Sequence, residues 1–319
     1  MRYTRGLAIV AAAVALALSV AACGGAEETS GTGGSAGAIA GDIRVDGSST
    51  VGPLAEAAAE FFQQENPDVR VTVGISGTGG GFEKFAAGET DISDASRLIK
   101  DEEKQAVAAA GIEYGEMQVA NDGIAVVVSK ENTWATSLTV EHLKKIWNEG
   151  STVKNWNQVD PSFPDVPLEL FGPGTDSGTF DYFTDAINGE EGVSRTDYLA
   201  TEDDNVAVQG VEGSKGGMAY FGLSYYEQNM DRLNVVSIDA GDGPVTPSAE
   251  TVQSGEYKPL SRPLFIYVKK SSLERPEVAA FVQFYLDNVD RIAKQALFVP
   301  MTADQSAASQ TTFDQLLGG

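Results

Sequence analysis

Val69-Arg70-Val71-Thr72-Val73-Gly74-Ile75 and then Ser76-Gly77-Thr78-Gly79-Gly80-Gly81-Phe82 form a strand-like run, a turn of glycines and hydroxyls, and the opening of a helical pattern. About a hundred residues later the arrangement returns: Leu168 to Phe171 reads as a strand, and Gly174-Thr175-Asp176-Ser177-Gly178-Thr179-Phe180 follows it. In each place backbone N–H groups and hydroxyls would converge where a helix dipole favours negative charge. Taken alone, such a loop serves a tight turn as readily as a ligand. Ser30-Gly31-Thr32-Gly33-Gly34 makes the point, repeating the turn's first five residues inside a linker. Two such turns set between strand and helix, with arginines at hand and no catalytic base beside them, suggest an oxyanion held between two lobes.

Outward from these turns the same grammar continues. Ile43 to Val45 alternates as a short strand, Gly47-Ser48-Ser49-Thr50-Val51-Gly52 is a third hydroxyl-rich turn, and Pro53 stands in the first turn of an amphipathic helix through Glu65. Asp91 to Ala95 is strand-like and ends at Ser96-Arg97. Alternating strands and helices imply an α/β fold with mainly parallel sheets. Gly123 to Ser129 and Pro263 to Val268 are continuous apolar strands, and the segment between them has its own strands at Leu168 to Phe171, Met218 to Phe221 and Leu233 to Ile238. Helices are expected at about Phe82 to Ala87, Pro276 to Ala296 and Asp304 to Leu317. A chain that leaves one lobe, builds a second and returns makes a two-strand hinge with a cleft between the lobes. On this reading residues 42–125 with 262–319 form lobe 1, and residues 126–261 form lobe 2.

The N-terminus has another character. Arg2 and Arg5 precede an apolar run from Leu7 to Ala22, short for a membrane span and ending in small residues, as in a secretory signal over residues 1–22. Val20-Ala21-Ala22-Cys23 resembles the bacterial lipobox, so Cys23, the only cysteine, is expected to carry a lipid and no disulfide can form within the chain. Residues 23–41 then read as the lipidated cysteine and a flexible tether, with an r.m.s. reach of roughly 20–25 Å.

Composition narrows the chemistry. The 319 residues are 42% hydrophobic and 21% charged, as in a soluble globular protein, and the formal net charge is −24. Such acidity disfavours nucleic acid as a partner. It does not exclude a small anion, because distant charge is screened within roughly 8 Å at physiological salt while local donors act at contact. The one histidine, His142, sits in the helical pattern Thr139 to Trp147, where a structural role is the default; Zn sites of Cys/His type and Ser-His-Asp hydrolysis are both disfavoured. Trp134, Trp147 and Trp156 read as packing residues.

Several of these stretches together resemble the phosphate-binding type II periplasmic binding proteins (PstS-like) that serve phosphate ABC transporters. The resemblance covers about residues 42–300. It rests on Asp46 to Val51, Gly74 to Phe82, Gly88 to Arg97, Gly172 to Phe183, Ser194 to Tyr198, Glu202 to Asn205 and Pro259 to Leu264. It implies a two-lobed α/β fold with a two-strand hinge, and a site in which Thr50, the N–H of Val51 and Ser49 meet one face of a phosphate. Thr78 and Gly79 would add to the second turn, Ser96 and Arg97 to the third, and Ser177, Gly178 and Thr179 would close from the other lobe. Arg195 is the candidate for a second guanidinium, because Pro173 stands where some members carry arginine. Other members carry an aspartate near the position of Ser96 that accepts the proton of hydrogen phosphate. Here Asp94 or Asp204 is the expected acceptor.

The resemblance thus implies a lipid-anchored, extracytoplasmic, monomeric binding protein that passes inorganic phosphate to a membrane permease, with no enzyme activity, cofactor or metal. Sulfate or molybdate is the rival ligand, and a non-transport surface module the rival role, since fold does not fix function. Asp94, Asp176 and Asp204 remain equally readable as solvated or capping acids, and Arg97 and Arg195 as ion-pair partners.

Overall fold

The computed structural model describes residues 39–175 and 177–318; the apolar leader, Cys23 and the tether up to residue 38 lie outside them, and Gly41, expected in the tether, opens the first strand. In chain order the strands are β1 (Gly41–Gly47), β2 (Val69–Ile75), β3 (Ile92–Ala95), β4 (Tyr114–Ser129), β5 (Ser137–Thr139), β6 (Glu169–Gly172), β7 (Leu199–Ala200), β8 (Gly217–Gly222), β9 (Leu233–Val235), β10 (Ser237–Asp239), β11 (Pro244–Val245) and β12 (Ser261–Lys269).

The main sheet runs β2-β1-β3-β12-β4-β8-β6-β7, with β9 also paired to β4. β1 is parallel to both β2 and β3, whereas β12 is antiparallel to β3 and β4, and β4 is antiparallel to β8. The sheet is therefore mixed rather than mainly parallel. The cause is the return path: a chain that goes out on one strand and comes back on its neighbour must run against it. β4 does most of this crossing. Its first part, Tyr114 to Gly123, pairs with β12, and its last part, Ile124 to Val128, pairs with β8. Sequence reading places only the second half of β4 in a strand, because Glu116, Gln118, Asn121 and Asp122 interrupt the apolar run of the first half.

Two sets of buried side chains lie on either side of that crossing. In lobe 1, Ile43, Leu54, Phe62, Ile92, Val119, Ile266 and Phe281 belong to one core, with a satellite of Phe82, Phe85, Ala95 and Tyr267. In lobe 2, Val126, Trp147, Trp156, Phe183, Tyr220 and Ile238 belong to another. Pro53 lies in the first turn of the helix Gly52–Glu65, and Leu54, Ala55, Ala58 and Phe62 recur on its buried face. Each large apolar group so buried contributes about 1.5–3 kcal/mol.

Local departures from the sequence reading have plain causes. The helix expected at Phe82 begins at Gly77, so the glycines form its first turns. They permit a close approach: a Cβ on Gly81 would stand 2.6 Å from Cα of Gly47, which locks this helix onto the first turn. The C-terminal helical region divides into Pro276–Asp287 and Val289–Gln295, and the run Leu233 to Ile238 breaks at Val236, whose N–H donates to Val126. His142 is the third residue of the helix Val140–Trp147, and its Nδ1 accepts from the N–H of the cap residue Thr139, a capping role.

Candidate functional site

The parallel strands β1, β2 and β3 end side by side, and the turn after each empties into one cleft of about 790 Å³. In parallel sheets the crevice beyond the carboxyl ends of the strands is where ligands bind. Ser48, Ser49 and Thr50 come from the turn after β1, Ser76 to Gly79 from the turn after β2, and Ser96, Arg97 and Leu98 from the turn after β3.

These turns are braced by one another. The Thr78 hydroxyl accepts from the Ser96 N–H at 3.2 Å and shares a hydrogen bond with its hydroxyl, also at 3.2 Å. The Ser48 hydroxyl accepts from the Thr50 N–H. Ser76 donates to Asp46, which also holds Lys84 at 2.6 Å. Val51, fully buried, is the N-cap residue of the helix Gly52–Glu65. The Arg97 guanidinium lies beside Gly79, its Nη2 at an ordinary contact distance of 3.9 Å from where a Cβ would stand.

The facing wall belongs to lobe 2. Ser177 is the N-cap of the helix Gly178–Phe183, its hydroxyl accepting from the N–H of Thr179, while Asp176 lies outside the described residues. Gly178 meets lobe 1 directly: its carbonyl accepts from the Thr50 hydroxyl at 3.4 Å, and a Cβ on it would stand 2.6 Å from that oxygen. Asp181, Tyr182, Asp185 and Glu191 complete the wall. Of its carboxylates only Asp181 is half-buried, and Ser49 across the cleft approaches it at 3.5 Å. Burial and then the neighbouring Glu191 push the Asp181 carboxyl up, against the pull of Ser49 and Arg262.

At the floor, where β4 and β12 cross between lobes, stands Arg262. It is opposite Asp122 in the strand pairing and donates to that carboxylate at 3.2 Å. Its Nη2 donates to the Thr50 hydroxyl at 2.9 Å, and its guanidinium lies 3.6 Å from the centre of the Tyr182 ring. One side chain thus touches the hinge, the first turn of lobe 1 and the wall of lobe 2. Burial raises the Asp122 carboxyl, and the Arg262 cation opposes that shift.

Seven expected residues do not line this cleft: Val51, Ser177, Gly178 and Thr179, each next to its walls, and Arg195, Asp94 and Asp204, which lie apart from it. Arg195 is 4% exposed inside lobe 2, where Nη1 donates to the carbonyls of Ile146 and Val153 and Nε and Nη2 donate to Asp197. It borders a separate hollow of about 430 Å³ with Gly174 and Glu202. The second guanidinium of the cleft is Arg262 instead. Asp94 is wholly buried in β3 with both oxygens unpartnered, and burial, then Asp46, raises it well above the usual carboxylate range. Asp204, in the first turn of the helix Asp204–Gly213, is pushed up to about 6 by burial, then Asp203 and Glu202. Neither lines the cleft; Asp181 does. Arg262 and Asp181 both lie inside quoted motifs. The signal available for Arg262 was a basic residue at the start of the strand that returns between lobes, where a half-sheltered cation needs a partner.

The comparisons with known proteins agree with this geometry. Residues 28–289 match the family model of the PBP superfamily domain. Protein SphX of Synechococcus elongatus is 46% identical over 274 residues, covering 85% of this chain and 81% of that protein. The phosphate-binding protein PstS of Staphylococcus saprophyticus is 39% identical over 310 residues, covering 96% and 93%. The crystal structure of a possible phosphate binding protein from Planctomyces limnophilus superposes with a TM-score of 0.84 at 46% identity, covering 88% of this chain and 99% of that one. A phosphate ABC transporter substrate-binding protein from Clostridium perfringens, solved with bound phosphate, gives a TM-score of 0.56 at 27% identity, covering 82% and 100%. The cleft between two lobes, the turns at the strand ends and these similarities lead to one assignment: the chain belongs to the PstS-like family of the PBP superfamily, with its two-lobed type II fold.

Proposed function

We propose that this protein captures inorganic phosphate in the cleft between its lobes and presents it to the membrane subunits of an ABC transporter. The observation that carries the reading is the division of labour across the cleft. Serines and threonines of the turns and Arg97 line one wall, Arg262 forms the floor, and a half-buried carboxylate, Asp181, faces them. Ser49, Thr50, Val51, Thr78, Gly79, Ser96 and Arg97 would grip the anion from lobe 1, with Ser177, Gly178 and Thr179 closing from lobe 2 and Arg262 from below.

Phosphate near neutral pH carries at least one proton and sulfate carries none. A carboxylate in the cleft accepts a hydrogen bond from the first and only repels the second, a difference of several kcal/mol where the charges are desolvated. Asp181 is the acceptor in this reading, taking the place expected for Asp94 or Asp204. Relatives whose names carry phosphate support the same ligand. A lipid on Cys23 and the tether that leads from it to the first strand would keep the globule beside the permease outside the cytoplasm.

Titration calorimetry with phosphate, sulfate and molybdate tests the proposal. Phosphate should bind at least about a hundredfold more tightly than sulfate, in keeping with a penalty of several kcal/mol for an unpaired like charge. Equal binding of the two would overturn the phosphate assignment, and silence toward all of them would leave the transport reading without support.

A further inference from the structure

Arg97 is the only guanidinium on the turn after β3, and it is not free to swing. Its Nη1 and Nη2 donate to the two carboxylate oxygens of Glu103 at 2.8 and 2.7 Å, a fork-to-fork pair, and Nη1 also donates to the carbonyl of Leu98 at 3.2 Å. The same carboxylate accepts from the N–H of Lys100 at 2.8 Å, closing the first turn of the helix Asp101–Ala109. Glu103 is therefore tied to a helix end by one bond and to Arg97 by two. Its side chain is 13% exposed against 33% for Arg97, so the carboxylate is the sheltered member. Burial pushes the Glu103 carboxyl up, but the Arg97 and Lys100 donors outweigh that and hold it below the usual range, so it stays charged at neutral pH.

A guanidinium has five N–H donors arranged as edges. Glu103 and Leu98 take both protons of Nη1 and one of Nη2. What remains is Nε–H and the second proton of Nη2, which lie on one edge and point the same way. That edge is a bidentate seat for a tetrahedral oxyanion, and Arg97 lines the cleft. Loose arginines carry about 2 kcal/mol of rotamer entropy, which a fixed fork gives up before the ligand arrives.

We infer that Glu103 is a positioning residue: by holding the end of the Arg97 guanidinium it presents the side edge of that group to the anion in the cleft. The inference rests on the phosphate reading of the cleft. The carboxylate never touches the ligand; it acts through Arg97. Two consequences separate this from a role in stability alone. Its effect on affinity depends on Arg97 being present, and its negative charge helps rather than hinders the binding of an anion.

The experiment is a double-mutant cycle read by phosphate titration, with melting temperature followed in parallel. Glu103→Gln keeps an oxygen to accept from Lys100 and removes the charged fork, so the fold should persist. It should weaken phosphate about tenfold in the parent and less than about twofold in the Arg97→Ala background, as coupled groups do. Glu103→Asp, which restores the charge on a shorter stem, should recover only part of the loss. Should Glu103→Gln tighten phosphate binding, the carboxylate competes with the ligand for Arg97 and the inference fails. Equal losses with and without Arg97 would likewise overturn it, leaving a purely structural residue. If the unmodified protein binds no phosphate, the proposed function fails and the inference with it; if it binds phosphate and the cycle shows no coupling, the inference alone fails.

Discussion

The two walls of the cleft are built from different material. Lobe 1 offers turns at the ends of three parallel strands, bearing Ser48, Ser49, Thr50, Thr78, Ser96 and Arg97 and no carboxylate that lines the cavity. Lobe 2 offers the helix Gly178–Phe183, its continuation Thr184–Asn188 and the turn after it, bearing Asp181, Asp185 and Glu191 in that order. A donor wall by itself would take any small oxyanion. An acidic wall by itself would take none. Together they suit an anion that brings its own proton, so affinity and selectivity should be separable by mutation, one on each side.

The largest effect is expected on the donor wall. Arg97→Ala should cost about 2–4 kcal/mol of phosphate affinity by calorimetry, because an oxyanion enclosed by two lobes cannot recover water where the guanidinium stood. Sulfate, where it binds, should lose a similar amount. A selective loss of phosphate alone would break the comparison.

Arg195 tests the boundary of the site. Its donors go to Ile146, Val153 and Asp197 within lobe 2, so Arg195→Met should destabilise the fold by about 2–3 kcal/mol in urea titration through carbonyls left without a donor. Phosphate affinity of the folded fraction should be unchanged. A tenfold loss of affinity at full folding would return Arg195 to the site.

On the acidic wall, Asp181→Asn should weaken phosphate while relieving the repulsion of sulfate, narrowing the gap between them by about 2 kcal/mol. The amide keeps the shape and removes the charge. If the ratio of the two affinities does not move, another group accepts the proton.

The difference between the walls also explains what the sequence disclosed. The strand–turn–helix punctuation around Ser48 and Ser76 is local, written in alternation, glycine and hydroxyls, and it was legible as fold; after Ser96 only the strand was, and the helix Asp101–Ala109 was not expected. Arg262 and Asp181 became site residues through long-range packing, across 212 positions to Thr50 in one case and 132 to Ser49 in the other. Each arginine follows a serine, and although Arg262 precedes an apolar strand while Arg195 stands in a polar stretch, neither setting names the carbonyls or carboxylates each will meet. Only the pairing of β12 with β4 sets one at the hinge, and only the carbonyls of Ile146 and Val153 keep the other inside lobe 2. The mixed sheet was hidden for the same reason, because direction belongs to the return path and not to the strand.

The smallest expected effect concerns Asp204, an acid of lobe 2 that does not line the cleft. Burial, then Asp203 and Glu202, push its carboxyl up to about 6. An acid with a folded pKa above its unfolded value holds its proton more tightly when folded. Protonation therefore favours the fold, and the ionised form costs stability above that pKa. A shift from the ordinary value near 4 to about 6 sets a ceiling of roughly 3 kcal/mol, and solvent around a half-buried group reduces it to about 1–2 kcal/mol. The cost should be fully present at pH 7.5, fade as pH falls through 6, and vanish near pH 4. Asp204→Asn should therefore stabilise the protein in urea titration at pH 7.5 and lose most of that advantage by pH 4.5, while phosphate affinity stays at the parental value. A gain that persists at pH 4.5 would mean packing rather than charge, and a loss of phosphate affinity would move Asp204 onto the acidic wall beside Asp181.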